Sequence, residues 1–304
     1  MLSGMLALKR LLLVLSIALG AAFLAAQTKV WTAQELFQRN VGSKEDQETA
    51  FPPHKIIGNI YYVGTRSLAS FLVVTPEGNI LIDSMYERTV PVIRKSVADL
   101  GFRFADTKIV LGSHAHADHM EGDAMIKELT GAKVMAMAED VPALEKMMPG
   151  NKPHPIDRVL HDGDEVKLGG ATLVAHLTPG HTRGCTTWSM KVQDGGRTYD
   201  VVIIGSMGVN AGTRLVNNPQ VPDIADEYKR GFKVLRGLAC DVPLGSHPAM
   251  YNLAEKYPKL GKGANPFIDP AGYKTEVDIE ERAFLDVLRE QTDAQQQKDA
   301  AAKK

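Results

Sequence analysis

Histidine and aspartate side chains are concentrated in one short segment of the sequence. Four potential metal ligands fall within six residues, namely His114, His116, Asp118 and His119. Imidazole nitrogens and carboxylate oxygens are good zinc ligands, and a catalytic zinc keeps one position open for water. Four ligands on one loop cannot close around a single ion without strain, but they can serve two adjacent ions. The segment therefore predicts a metal centre that other parts of the chain complete.

Two further histidines follow predicted strands and can complete such a centre. His181 lies in the segment TPGHT, and His247 lies in the segment GSHP. The other histidines stand apart from any cluster, and a lone imidazole is more often a core or surface residue than a ligand. These are His54, His154, His161 and His176. We therefore expect six ligands, five of them histidines.

Helices and strands alternate around these motifs and must position them. Strands are predicted at 56–63, 70–75, 80–83, 108–111, 133–137, 158–160, 165–168, 171–178, 185–192, 199–204 and 241–244. Helices are predicted at 90–100, 118–130, 138–147, 224–239 and 277–293. Hairpins occur among the helix–strand units, so we expect an α/β (α+β) protein with two mixed sheets face to face and helices outside.

The composition excludes several classes of protein. Of the 304 residues, 44% are hydrophobic, which is enough to bury a core and excludes general disorder. The 35 Lys and Arg and the 36 Asp and Glu leave a formal charge of −1, so no basic excess attracts nucleic acid. Two cysteines, Cys185 and Cys240, exclude a disulfide scaffold. They are either small buried residues or, in an oxidising compartment, a disulfide pair.

Residues 1–26 have the pattern of a secretory signal peptide. Lys9 and Arg10 precede an uncharged apolar run that ends at Leu24, and two alanines follow at the expected cleavage region. The alternative is a retained membrane anchor, but the run is shorter than the roughly 20 residues that span a bilayer. We expect cleavage and export to the periplasm or the medium, with no stable membrane span afterwards.

The mature chain is expected to be one domain over residues 27–304. Its core is predicted at about 50–293, where the periodic apolar segments lie. The tail from Gln295 is polar and rich in Ala and Lys, so we expect it to fray.

The histidine pattern resembles that of the metallo-β-lactamase superfamily, and longer segments resemble its subclass B3. The similarity covers about residues 50–293. The segments that carry it are NIYYVGT (59–65), TPEGNILID (75–83), RVLHDGD (158–164), HLTPGHTRGCTTW (176–188), RLVNNP (214–219), IADEYKRGFKVLRGLACDV (224–242) and NPFIDPAGY (265–273). The resemblance implies an αββα sandwich with the site at one edge.

The resemblance also implies two zinc ions and divides the ligands between them. The first ion would take His114, His116 and His181, and the second would take Asp118, His119 and His247. Asp83, at a strand end, would orient the site from outside the ligand shell, or is a plain strand-end carboxylate.

Ser206 separates the subfamilies. Glyoxalase II and the lactonases of the superfamily have a bridging Asp at this position, and subclass B1 has a Cys, whereas this chain has Gly205-Ser206. Serine is the subclass B3 pattern, in which it holds a water near the second zinc. The alternative is an ordinary strand-end hydroxyl.

Two positions depart from that pattern, and one loop could cover the site. Gly208 replaces a serine that contacts the substrate carboxylate in some members. Glu121 stands where small residues are commoner, and it would disfavour anionic substrates if it pointed inward. By resemblance the loop 147–155 could overhang the site, with Met147 or Met148 touching apolar parts of a substrate, or packing as ordinary side chains.

These features predict a zinc-dependent β-lactamase, a monomer that acts on small molecules and confers resistance to β-lactam antibiotics. A zinc-bound hydroxide would attack the lactam carbonyl, with Asp118 orienting the nucleophile. The S-x-x-K and G-x-S-x-G signatures of serine hydrolases are absent from the sequence. The runner-up is another exported metallohydrolase, for lactones, thioesters or phosphodiesters. A zinc-binding protein without catalysis is the third reading.

Overall fold

A computed structural model of the chain describes residues 29–303. The predicted signal segment, 1–26, lies outside the described residues. The chain divides into two units, Met1–Trp31 and Thr32–Lys304, and every described helix and strand lies in the second. Among the described residues, no helix combines the length and the hydropathy that crossing a membrane requires.

Seven of the described strands form the first sheet, in the order β1 to β7. They are β1 His54–Ile57, β2 Ile60–Tyr62, β3 Phe71–Thr75, β4 Gly78–Ile82, β5 Thr107–Leu111, β6 Lys133–Met137 and β7 Arg158–Leu160. Strands β1 to β4 pair antiparallel, and β4 to β7 pair parallel. The predicted strand at 56–63 is a hairpin of two strands, because Gly58 turns the chain at a φ of 53°.

Five strands form the second sheet, in the order β12-β11-β10-β9-β8. They are β8 Glu165–Leu168, β9 Ala171–Leu177, β10 Thr186–Asp194, β11 Arg197–Ile204 and β12 Val242–Gly245. All pairs are antiparallel except β11 with β12. The predicted strands of this sheet therefore exist within a few residues of their expected bounds.

The helices are mostly short and lie before, between and after the strands. They are α1 Ala33–Val41, α2 Lys44–Glu48, α3 Val90–Asp99, α4 Ala117–Met120, α5 Asp123–Thr130, α6 Val141–Leu144, α7 Ile224–Gly237, α8 Leu253–Lys256 and α9 Pro270–Ala302. The predicted helix at 118–130 is wrong as one helix, because the chain breaks at Gly122. Its N–H donates to the carbonyl of Met85, and a Cβ there would lie 2.6 Å from the Ser84 carbonyl oxygen.

The two sheets pack face to face, and helices cover their outer faces. Leu111 of the first sheet and Trp188 of the second belong to one buried cluster. The neighbouring Val110 points the other way and packs with Ile93 of α3 in a second cluster. Successive strand residues face opposite sides of a sheet, so both faces of β5 are buried. The expected αββα sandwich is confirmed.

Helix α9 is longer than the sequence indicates at both ends. It begins at Pro270, where Asp269 caps it by accepting a hydrogen bond from the Gly272 N–H at 2.8 Å. It continues through the polar tail that we expected to fray, with Gln295 donating to Asp299 at 2.8 Å. The tail prediction is therefore wrong, because alanine and side-chain pairs four residues apart favour a helix.

A buried carboxylate on α9 contacts the N-terminal helix α1. Glu280 is 2% exposed and accepts a hydrogen bond from the amide of Asn40 at 3.2 Å. The Arg39 guanidinium lies 3.5 Å from the same carboxylate. Burial and the neighbouring Glu276 raise the pKa of Glu280 to about 7, despite the opposing effect of Arg39.

This raised pKa makes stability depend on pH. The folded state holds a proton on Glu280 that the unfolded state loses. The contribution of Glu280 to the free energy of unfolding is therefore fully present below the unfolded pKa of about 4.5, and it is lost as pH rises through the folded pKa of about 7. We expect the advantage of Glu280→Gln over the unmodified protein, measured by urea unfolding, to grow by about 3 kcal/mol between pH 5 and pH 8. Glu290→Gln, on the exposed face of α9, serves as the control. A constant difference across this range would contradict the assignment.

Candidate metal centre

Three histidines from two loops converge beyond the ends of β5 and β9. His114 and His116 follow β5, and His181 lies between β9 and β10. One ring nitrogen of each lies within 4.8 Å of the others. The Nε2 atom of His181 is 3.2 Å from Nδ1 of His116. A tetrahedral ion with bonds of 2.0–2.1 Å places its ligand atoms roughly 3.3 Å apart, so this spacing suits a shared metal ion.

A second group of three lies beside the first. Asp118 and His119 come from α4, and His247 follows β12. Their ligand atoms also lie within 4.8 Å of one another. His119 Nε2 is 3.4 Å from the Asp118 carboxylate, again the spacing of two ligands on one ion. The structure thus brings the six predicted ligands together in the two predicted groups of three.

Four of the histidine rings are each held through one nitrogen by a group outside the metal centre. The Nδ1 partners are Ser113 Oγ for His114 at 3.1 Å, Asp83 Oδ2 for His119 at 3.1 Å, the Gly208 carbonyl for His181 at 2.7 Å and the Ser67 carbonyl for His247 at 2.9 Å. Nε2 of His114 and of His119 is buried and has no hydrogen-bond partner among the described residues. Rings held in this way present their second nitrogen to a metal, so the residues fit the ions that the resemblance implies.

Asp83 occupies the place expected of an orienting residue. Its carboxylate accepts hydrogen bonds from the Ser113 N–H at 2.7 Å, the Ser113 hydroxyl at 2.8 Å and the His119 ring at 3.1 Å. Its backbone has a φ of 61°, a left-handed conformation that costs a non-glycine residue free energy. The surrounding hydrogen bonds hold the carboxylate against this cost. Sequence reasoning did not identify Ser113.

Burial keeps most of the histidines neutral. Burial and the neighbouring His116 lower the pKa of His181 to about 3, and burial together with His119 lowers that of His247 to about 4. Burial also lowers the pKa of His114. His119 differs, because Asp118 and Asp83 outweigh its burial and raise its pKa to about 10. The two carboxylates thus favour positive charge at the second group, which suits a cation.

A cavity of about 230 Å³ opens onto both groups of ligands. Five of the six predicted ligands line it, and so does Ser206, which is 8% exposed. The other walls are Phe37, Asn40 and Val41 of α1, Tyr86, and residues 208–210. Sequence reasoning missed the walls from α1, because this helix precedes the segment that carries the resemblance. A larger cavity of about 450 Å³ beside β10 contains none of the ligands.

The departures from the B3 pattern have structural roles. The Glu121 carboxylate does not line the cavity, and it accepts a hydrogen bond from the Glu87 N–H at 3.1 Å. Gly208 lines the cavity and uses its carbonyl for the ring of His181 and for the Tyr228 hydroxyl. Met147 packs in a small apolar cluster and Met148 is 51% exposed, and neither lines this cavity.

The remaining histidines and the cysteines lie outside the two groups. His54 stacks on Tyr62, His154 pairs with Asp123 and His176 contacts Ser189, while His161 is exposed. Both thiols are free: Cys185 is buried and Cys240 is half-buried. Among the described residues, the structure thus favours buried thiols over the disulfide alternative.

Solved structures similar to this chain are themselves metallo-β-lactamases. FEZ-1 from Legionella gormanii is 50% identical, with a TM-score of 0.78 over 81% of this chain and 98% of that one. BJP-1 of Bradyrhizobium japonicum, a subclass B3 metallo-β-lactamase, is 38% identical, with a TM-score of 0.76 over 82% and 98%. GOB-18 from Elizabethkingia meningoseptica is 32% identical, with a TM-score of 0.75 over 82% and 96%.

Curated relatives match over shorter stretches. Human mitochondrial persulfide dioxygenase is 26% identical over 129 residues, which are 42% of this chain and 45% of that protein. Hydroxyacylglutathione hydrolase of Hyphomonas neptunium is 35% identical over 105 residues, which are 34% of this chain and 38% of that protein. The chain thus spans less than half the length of these curated relatives.

The sequence profile of the metallo-β-lactamase superfamily matches residues 63–237, more than half of the chain. The matched range contains five of the six predicted ligands and most strands of both sheets. Together with the solved structures, this match establishes the relationship that the histidine pattern indicated. The chain belongs to the metallo-β-lactamase superfamily, and its sequence and structure are similar to those of subclass B3.

Proposed function

We propose that this protein is a dinuclear zinc β-lactamase of the subclass B3 type, which hydrolyses the amide bond of β-lactams. The observation that carries the proposal is the convergence of two complete groups of three ligands on one cavity, with Ser206 and no bridging carboxylate at the end of β11. The solved structures that match over nearly their whole length support the same activity.

Each of the two groups of ligands would hold one zinc ion. His114, His116 and His181 would hold the first, and Asp118, His119 and His247 the second. Bound zinc supplies Lewis acidity to a carbonyl oxygen and lowers the pKa of water towards about 7.

Two side chains in the cavity can position the attacking water. Asp118 lines the cavity, and His119 lowers the pKa of its carboxyl against the effect of burial. The carboxylate is therefore ionised, and it can orient a water molecule by accepting a hydrogen bond from it. Ser206 lines the same cavity and can hold that water through its hydroxyl.

The other walls bind the substrate. Phe37, Val41 and Val209 provide apolar surface, and Tyr86 combines an aromatic ring with a hydroxyl. These walls suit the apolar substituents of a β-lactam. Because Glu121 is outside the cavity, it does not repel the substrate carboxylate by direct contact.

A thioester hydrolase is the second candidate, because hydroxyacylglutathione hydrolases match part of the chain. The test is a hydrolysis panel with zinc-loaded protein: a penicillin, a cephalosporin, a carbapenem, a lactone and a glutathione thioester. We expect turnover of the β-lactams and close to two zinc ions per chain by elemental analysis. Cleavage of only the lactone or the thioester would contradict the β-lactamase proposal and support the second candidate. Two zinc ions without any turnover would indicate a zinc-binding protein.

We further propose that the protein acts in the periplasm or the medium as a monomer, after removal of residues 1–26. The pattern of Lys9, Arg10 and the short apolar run supports export. The intact mass of the protein recovered from the periplasm tests the cleavage. A mass that includes Met1 in a membrane fraction would indicate an anchor.

A further inference from the structure

Asp140 is a buried carboxylate whose hydrogen bonds all join it to the loops that carry the first group of ligands. It is 3% exposed. One oxygen accepts from the Ala115 N–H at 2.8 Å and from the Thr182 hydroxyl at 2.9 Å, and the other accepts from the Gly184 N–H at 2.8 Å. Ala115 lies between His114 and His116, and Thr182 follows His181 directly.

The usual reason for an aspartate at this place does not apply. Asp140 precedes α6, where aspartate commonly caps the first turn by accepting from its N–H groups. Here the side chain makes no capping hydrogen bond. Among the ion pairs of the described residues, none includes Asp140. Burying a carboxylate without a cationic partner is costly, so the three hydrogen-bond donors must stabilise its charge.

Close packing fixes the second loop against the same residue. A Cβ at Gly184 would lie 2.4 Å from the Asp140 nitrogen and 2.6 Å from its Cβ. No side chain therefore fits at Gly184 without moving the loop. The carboxylate thus connects two loops that are distant in the sequence but must keep His116 and His181 3.2 Å apart.

We propose that Asp140 is a positioning residue for the first metal site, which sets the distance between its two ligand loops. The inference rests on the proposed function only in that the three histidines bind metal. The negative charge of Asp140 beside the loops also favours the metal-bound site over the metal-free site. Asp140 does not line the cavity, so it acts on the ligands and does not contact the substrate.

The test measures zinc affinity by competition with a chromophoric chelator in two backgrounds. His247→Ala leaves the three-histidine group complete, and His181→Ala leaves the Asp118 group complete. We expect Asp140→Asn to weaken zinc binding about 10- to 100-fold in the first background, the usual effect of losing a partner outside the ligand shell. In the His181→Ala background we expect Asp140→Asn to leave zinc affinity unchanged. Asp157→Asn is the matched control, because Asp157 also accepts a backbone hydrogen bond, from Val134, away from both loops.

Thr182 provides a milder second variant. Thr182→Val removes one of the three hydrogen bonds and should lower affinity in the same direction but less, and Thr182→Ser should restore it. If Asp140→Asn does not fold, as shown by urea unfolding, the threonine pair decides. Equal loss in both backgrounds, or no loss with either variant, would overturn the proposal. Turnover of β-lactams by the unmodified protein tests the proposed function separately, so each can fail without the other.

Discussion

Replacement of His181 by alanine is expected to lower kcat/KM for β-lactams by on the order of 10³-fold, which corresponds to about 4 kcal/mol. His181 is the only member of its group that comes from the loop between β9 and β10. Its removal leaves two ligands on a single loop, so the Lewis acid and the activated water are lost together. Steady-state kinetics and zinc content by elemental analysis, measured on the same preparation, check the result.

Ser206→Ala is the matched control for this variant. Ser206 lines the same cavity but belongs to neither group of ligands. We expect a much smaller loss of rate and an unchanged zinc content, because a water can keep its other hydrogen bonds. If Ser206→Ala were as damaging as His181→Ala, the serine would have a larger role than water positioning.

Removal of zinc by a chelator is expected to abolish β-lactam hydrolysis completely, and added zinc should restore it. The reason is that neutral imidazoles and one carboxylate line the cavity, and these groups supply no comparable electrophile of their own. Burial and the neighbouring His116 lower the pKa of His181 to about 3, so this ring is uncharged at neutral pH and presents no positive charge to the substrate. Compounds that acylate a catalytic serine should have little effect.

Magnesium is the control in the restoration step. It prefers oxygen ligands in octahedral geometry, and five of the six side chains here are imidazoles, so it should not restore the rate. Far-ultraviolet circular dichroism should show that the chelated protein keeps its secondary structure. Activity that survives the chelator would exclude metal-dependent hydrolysis.

The sequence was sufficient to identify the six candidate ligand residues that the structure brings together, and to place most strands. Metal ligands are drawn from few residue types, and HAHADH places four of them within one loop, which packing alone does not explain. Apolar strands bounded by turn residues are likewise visible in one dimension, because burial imposes a short local period. The two-sheet architecture follows from their order.

Local signals were insufficient where tertiary contacts override propensity. The helix predicted at 118–130 breaks at Gly122, because the chain must pass close to the Ser84 carbonyl. Conversely, the polar tail after Gln295 continues a helix whose beginning Asp269 caps. The first difference arises from a contact outside the window in which periodicity is read. The second arises because alanine and side-chain pairs four residues apart favour a helix even where no apolar period marks one.

Tertiary structure alone decided which groups orient the ligands. The Ser67 carbonyl holds His247, 180 residues away, and the Gly208 carbonyl holds His181. Every residue has a carbonyl, so no sequence pattern marks the ones that are used. The same holds for Asp140 and for the Phe37 wall, whose roles depend on which loops and helices the fold brings together. Residue type determines which chemistry is available, but the three-dimensional packing of distant segments determines which atoms meet.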